Sequence, residues 1–182
     1  MLELNFHPFP ELITNRLLLR SIANEDAEEI FFLRSDPAIL QYLNKEPAAT
    51  IKEARDFIGQ INANIDENEA IMWGIAMGED PDRLIGTVCF WNIRKKDNRA
   101  ELGYVLHPGH WGKGFMKEVL KEVIQYGFST LKLHSMEAHI DPGNKASAAL
   151  LESLGFVREG YLRENVCFRG KFGDTAIYSL LK

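Results

Sequence analysis

The sequence predicts a mixed α/β fold, a mostly antiparallel twisted sheet of about seven strands with helices on both faces. Three observations carry that prediction. Apolar runs broken by short turns between Ala70 and Leu106 predict a three-stranded meander. The pattern then changes to strand, helix, strand, helix, and that passage should pair its strands in parallel or splay them apart. Finally, FVREGYLRENVCFRG and DTAIYSLL predict a closing hairpin.

The elements follow in order. TNRLLLRSI, Thr14 to Ile22, predicts the first strand. Asn24 precedes EDAEEIFFLRS, whose early acidic residues suit a helix N-terminus. After a break at Asp36-Pro37, Thr50 would cap IKEARDFIGQINANI, where Ile51, Ala54, Phe57, Ile58, Ile61 and Ile65 mark one helical face. AIMWGIAM, DRLIGTVCFWNI and RAELGYVL form the meander, turned by GEDP and RKKDN. Lys113 to Thr130 has the apolar spacing of a helix, LHSMEAHI that of a strand, and KASAALLESL that of a helix closed by Gly155.

The chain has 182 residues, 46% hydrophobic and 26% charged, with a net charge of −5. That suits one domain over residues 1–182 with a sizeable core, and no repeat or linker divides it. The acidic balance argues against a nucleic-acid partner and for a cationic one. Cys89 and Cys167 lie far apart, with no CxxC and no His at ligand spacing, so no metal is expected and both read as reduced core thiols. No apolar run approaches the ~20 residues that span a bilayer. MLELNFHPFPEL lacks the pattern of a signal peptide, so the cytoplasm is the expected location.

Three constellations could carry chemistry. HWGKGFMKEV, His110 to Val119, places Gly112, Lys113 and Gly114 where a strand turns into a helix. There, free amides and the positive dipole end would bind an anion, unless this is an ordinary turn with a surface lysine. In NKASAALLESLGF, Asn144 and Ser147 either cap a helix or face a cleft between two strand–helix junctions. Glu101 in RAELGYVL is either solvated or placed to take a proton from an amine; His107, His110, His134 and His139 are competing bases of lower rank.

Together these segments resemble the GNAT superfamily of acetyl-CoA-dependent N-acyltransferases, most of all the branch of the ribosomal-protein alanine N-acetyltransferases. The resemblance runs from TNRLLLRSIANEDAEEI through SDPAILQYL, LIGTVCF and AELGYVLHPGHWGKGFMKEVL to NKASAALLESLGFVREG and GKFGDTAIYSLL. It implies a GNAT fold, with a splayed parallel strand pair at the coenzyme A cleft. The superfamily's pyrophosphate loop reads Arg/Gln-x-x-Gly-x-Gly/Ala. Here Trp111 takes the first position, Gly114 matches, and Met116 takes the final small position. By resemblance, Trp111, Gly112, Lys113, Gly114, Phe115 and Met116 hold the pyrophosphate. The backbone of Tyr104, Val105 and Leu106 binds the pantetheine arm, and Asn144 and Ser147 contact it across the cleft.

The implied reaction is direct attack of a primary amine on the acetyl thioester, with amides near Leu106 polarising the carbonyl. Many members carry a tyrosine after the Asn to protonate the departing thiolate. Leu151 fills that slot here, which leaves Ser147 as the candidate acid. Glu101 is the preferred base. Glu164 is the alternative, since relatives place a carboxylate two residues further on, at the position of Val166. The acceptor would be a protein α-amine or a small amine such as a polyamine, amino sugar or amino-acid derivative. A catalytically silent acyl-CoA-binding module would keep the same cleft. The fold's exposed strand edges would allow a homodimer.

Overall fold

A computed structural model describes residues 2–182. Its single sheet has eight strands in the order β1-β2-β3-β4-β5-β6-β8-β7. These are β1 (Leu12–Ile13), β2 (Leu17–Arg20), β3 (Ile71–Met77), β4 (Asp80–Arg94), β5 (Arg99–Leu106), β6 (Ser135–Ile140), β7 (Val157–Phe168) and β8 (Lys171–Leu181). The helices are α1 (Ala27–Ser35), α2 (Pro37–Leu40), α3 (Ile51–Asp66), α4 (Phe115–Ser129) and α5 (Lys145–Glu152). Among the described residues, no helix is long and apolar enough to cross a membrane.

Within the expected first strand, Thr14 to Ile22, only Leu17–Arg20 is a strand, and a further short strand, Leu12–Ile13, precedes it. The Thr14 hydroxyl accepts from the Leu17 amide at 3.0 Å and donates to Glu118 at 2.6 Å, so the chain turns there and pairs Leu12 with Leu19. The first helix begins at Ala27 rather than just after Asn24. Asp26 ties this entry together, accepting from the Ala23 amide at 2.8 Å and from both Arg20 terminal nitrogens. The break at Asp36-Pro37 opens a further short helix, α2. Asp36 accepts from the Ala38 and Ile39 amides, and Pro37 sits where a missing N–H costs nothing. Thr50 caps α3 as expected, accepting from the Glu53 amide at 3.3 Å.

Strand alternation sends Trp73, Val88, Phe90, Leu102 and Tyr104 toward α4 and α5. Trp73 is fully buried and meets Phe9, Phe90 and Tyr126 edge-on. The opposite face turns Met72, Cys89, Glu101 and Gly103 toward α1 and α3. The buried stripe Ala54, Ile58, Ile61 and Ile65 of α3 covers part of that face. Cys89 is a free thiol that burial pushes up to about 12. Cys167 departs from the expected core position: it is exposed on β7, the edge strand of the sheet, which is exposed along most of its length.

Two features position the site. β5 pairs in parallel with β6 only over Arg99–Glu101 and Ser135–Glu137. Beyond Glu101, β5 keeps only β4 as a partner and β6 only β8, so a wedge opens between their C-terminal ends. The strand order also inserts β8 between β6 and β7, which extends the second half of the sheet beyond the wedge.

Candidate active site

The wedge has a defined chemistry because antiparallel pairing alternates. The His107 amide donates to Ile85 at 2.8 Å, so the peptide groups of odd-numbered β5 residues face β4. Those of Tyr104 and Leu106 therefore face the gap, while those of Val105 belong to the ladder with Thr87. The Leu106 carbonyl is already taken by the Trp111 indole N–H at 2.7 Å. Among the described residues, the Tyr104 peptide and the Leu106 N–H face the gap without a strand partner.

After β5 the chain makes a short turn at Pro108–His110 and reaches α4 through two left-handed glycines, Gly112 at φ 72° and Gly114 at φ 78°. The glycines are required by the backbone angle and not by crowding. A Cβ would meet nothing within 4 Å at Gly112, and only the Arg16 guanidinium at 3.7 Å at Gly114. No side chain caps α4, and the first intrahelical bond runs from the Glu118 amide to Gly114. The amides of Phe115, Met116 and Lys117 accordingly have no acceptor among the described residues, at the positive end of a helix of 15 residues. Trp111 ties this loop to β5 while 46% of its surface stays exposed. The Lys113 carbonyl accepts from Arg16 at 3.3 Å, and no ion pair engages its ammonium among the described residues.

Across the wedge, Asn144 Oδ1 accepts from the Ser147 amide at 3.0 Å. The residue caps α5 and also lines the cavity. Removing the cap should cost about 1 kcal/mol, so Asn144→Ala should lower the unfolding free energy by that amount in a urea titration. The Ser147 hydroxyl is 2.7 Å from the Tyr104 hydroxyl. Burial holds the Tyr104 phenol up at about 12, so the pair stays protonated at neutral pH. Leu151 is fully buried in the core.

Two cavities meet here. One of about 690 Å³ runs from the α4 loop and α5 to Tyr104. The other, about 670 Å³, lies under α1 and α3 and includes Glu101. Tyr42, Leu43, Tyr104 and Val105 line both. Glu101 is 7% exposed and accepts from Asn92 at 3.4 Å. Its Oε1 lies 3.9 Å from His139 Nδ1, while His139 Nε2 lies 3.4 Å from Glu137. Glu137 in turn is held by Arg99. Burial raises the Glu101 carboxyl above its usual range, an effect His139 and the Asn92 hydrogen bond partly offset.

Glu164 is not brought to this site. It is exposed at φ 50°, its amide donates to Asp174 at 2.8 Å, and it lines neither cavity. Val166 does line the second cavity, but carries no ionisable group. Among the histidines, only His139 approaches Glu101. The Tyr104 hydroxyl was not foreseen, because only that residue's backbone had been assigned a part.

The sequence pattern of the acetyltransferase (GNAT) domain matches residues 16–157, and the chain belongs to that family of N-acetyltransferases. It is 41% identical to the uncharacterised N-acetyltransferase p20 of Bacillus licheniformis, over 94% of this chain and 96% of that protein. It is 30% identical to the ribosomal protein uS5 alanine N-acetyltransferase of Escherichia coli, over 95% of this chain and 91% of that one. Among solved structures, spermidine N-acetyltransferase from Vibrio cholerae in complex with CoA and spermine superposes with a TM-score of 0.80. It is 28% identical, with 91% of this chain and 95% of that chain covered.

Proposed function

We propose that this protein transfers an acetyl group from acetyl-CoA to a primary amine, the two substrates entering from opposite sides of the wedge. The observation that carries this reading is the meeting of two cavities at Tyr104 and Val105, one ending in free helix amides and the other in a buried carboxylate. The match to the family supports the donor.

The residues fit that donor. The amides of Phe115, Met116 and Lys117 and the left-handed Gly112 and Gly114 form an anion cradle for the pyrophosphate, and Lys113 adds a screened charge. The Tyr104 peptide and Leu106 N–H offer strand-like hydrogen bonds to the pantetheine arm, with Asn144 opposite. Val105 contributes through its place at the cavity junction and not through its peptide groups. Acetyl-CoA supplies the thioester whose acetyl group the amine takes.

Glu101 removes the proton of the attacking amine, directly or through a water, with His139 and Asn92 fixing its orientation. The Leu106 N–H faces the gap where negative charge develops on the carbonyl oxygen. Ser147, backed by Tyr104, donates a hydrogen bond to the departing sulfur. A phenol held at about 12 does not surrender its proton to a thiolate of pKa ~8.5, so this pair stabilises the leaving group by hydrogen bonding. Ser147→Ala should therefore lower kcat about tenfold, the scale of one hydrogen bond to a charged group. Tyr104→Phe should lower it less, and KM for acetyl-CoA should change little in Ser147→Ala.

The acceptor class includes protein α-amines, as acted on by the Escherichia coli relative, and small amines, as bound by the Vibrio cholerae one. Calorimetry with acetyl-CoA followed by thiol-release assays over amines and peptides tests the reading. Binding with release supports it. Binding without release across the panel would mark a silent acyl-CoA-binding module.

A further inference from the structure

We infer that the acceptor carries a carboxylate as well as its primary amine, and that Arg34, with Lys45 beside the same cavity, holds that carboxylate. The inference rests on the acetyl-transfer reading above and names the class of amine.

The second cavity is electrically divided. Its sheet side carries Glu101, Asp141 and Asp174, while Arg34 from α1 and Lys45 from the segment after α2 line the helix side. Neither cation forms an ion pair among the described residues, and the Glu46 carboxylate that also lines this cavity is bound to Arg169. The Arg34 guanidinium lies 3.8 Å over the Phe57 ring. Its Nε is shut off from solvent and has no hydrogen-bond partner among the described residues.

A buried donor left without an acceptor is costly, and native structures rarely keep one without a use. Here it belongs to a planar fork oriented by an aromatic ring, whose two terminal nitrogens have no hydrogen-bond partner among the described residues and can receive a carboxylate through two parallel bonds. The Lys45 ammonium is close enough to the Cys89 thiol, on the cavity floor, to favour that thiol's charged form, so its charge is felt inside the cavity. A dipolar ligand satisfies both ends: ammonium toward Glu101, carboxylate toward Arg34. A polyamine has no anionic group to offer, and its charges would face two unpaired cations.

The test uses thiol release from acetyl-CoA with matched acceptors: aminocarboxylates and dipeptides, their carboxamides, the corresponding aminophosphonates, and spermidine. For the unaltered protein, kcat/KM should be about tenfold or more higher for each carboxylate than for its amide, a difference of ~1.4 kcal/mol. Arg34→Met, which keeps an apolar stem over Phe57, should bring the two within about twofold. Acetyl-CoA affinity should stay as it was, and Tm should be unchanged or raised because an unpaired donor has gone. Arg34→Lys should restore part of the preference.

Amides or spermidine as the better substrates, a phosphonate preferred over the carboxylate, a preference that survives Arg34→Met, or a clear fall in Tm would each overturn the inference. A second readout does not need turnover. The N-acetylated aminocarboxylate should bind the CoA-loaded protein in calorimetry, and Arg34→Met should abolish that binding. If no acceptor releases thiol yet this binding behaves as stated, the transfer reading falls and the carboxylate site stands. If the binding is missing, the carboxylate site falls.

Discussion

Glu101→Gln should lower kcat by roughly 100- to 10,000-fold, the range for loss of a positioned general base, while leaving acetyl-CoA affinity unchanged. The substitution keeps the side chain's shape and the Asn92 contact, so packing is preserved and only proton acceptance is lost. The unaltered protein should show an acidic limb in kcat/KM above the usual carboxylate range, since burial raises the Glu101 carboxyl. That limb should vanish in Glu101→Gln, and the deficit should shrink in alkali as the amine loses its own proton to solvent. Turnover equal to that of the unaltered protein would remove Glu101 from the role.

The same substitution should act oppositely on stability. A carboxyl whose folded-state pKa is raised contributes stability below its unfolded pKa and loses it as pH rises through the folded pKa. Glu101→Gln removes a charge that the fold destabilises, so its Tm should exceed that of the unaltered protein near neutral pH. The difference should fade in acid, where both side chains are neutral. A differential scanning series across pH checks this sign.

Gly114→Val should weaken acetyl-CoA binding by about 100-fold or more. A left-handed backbone costs an L-residue ~1–2 kcal/mol, and a β-branched one suffers most. To escape φ 78° the loop must turn, carrying the Phe115 and Met116 amides out of line. Each charge-assisted hydrogen bond lost adds about 1.5–3 kcal/mol. Gly170→Val provides the control. Gly170 sits at φ 74° in the turn between β7 and β8, lining neither cavity, so it should lower Tm but leave the dissociation constant alone. Equal affinity in Gly114→Val would show that the loop amides do not hold the pyrophosphate.

The parts of this molecule that were legible in advance are those where local chemistry and local structure coincide. Glycines at a strand-to-helix turn announce left-handed backbone, and both Gly112 and Gly114 adopt it. The change from meander to strand–helix–strand announced the splay of β5 and β6, because that connection forces a parallel pair. Gly155 closes α5, with the Phe156 amide returning to Leu151 at 3.1 Å. The glycine signals depend on residues a few positions apart, and the parallel pairing on the order of consecutive elements.

What was not legible depends on residues far apart in the chain. Tyr104 and Ser147 are 43 positions apart, and only the packing of α5 against β5 brings their hydroxyls together. His139 joins Glu101 because β5 and β6 run in register at Glu101 and Glu137. Arg34 looks like a surface arginine at the end of a helix, and only Phe57 on α3 turns it into a cavity wall. The extra hairpin at Leu12–Arg20 follows from a single threonine hydroxyl, whose partner Glu118 is 104 positions away.

Direct transfer between two substrates held at once makes a kinetic signature. With initial rates measured over a matrix of acetyl-CoA and acceptor concentrations, the double-reciprocal lines should intersect, because the proposed direct transfer requires both cavities to be filled before the acetyl group moves. Parallel lines, the mark of an acetylated enzyme that releases CoA before the amine binds, would contradict it.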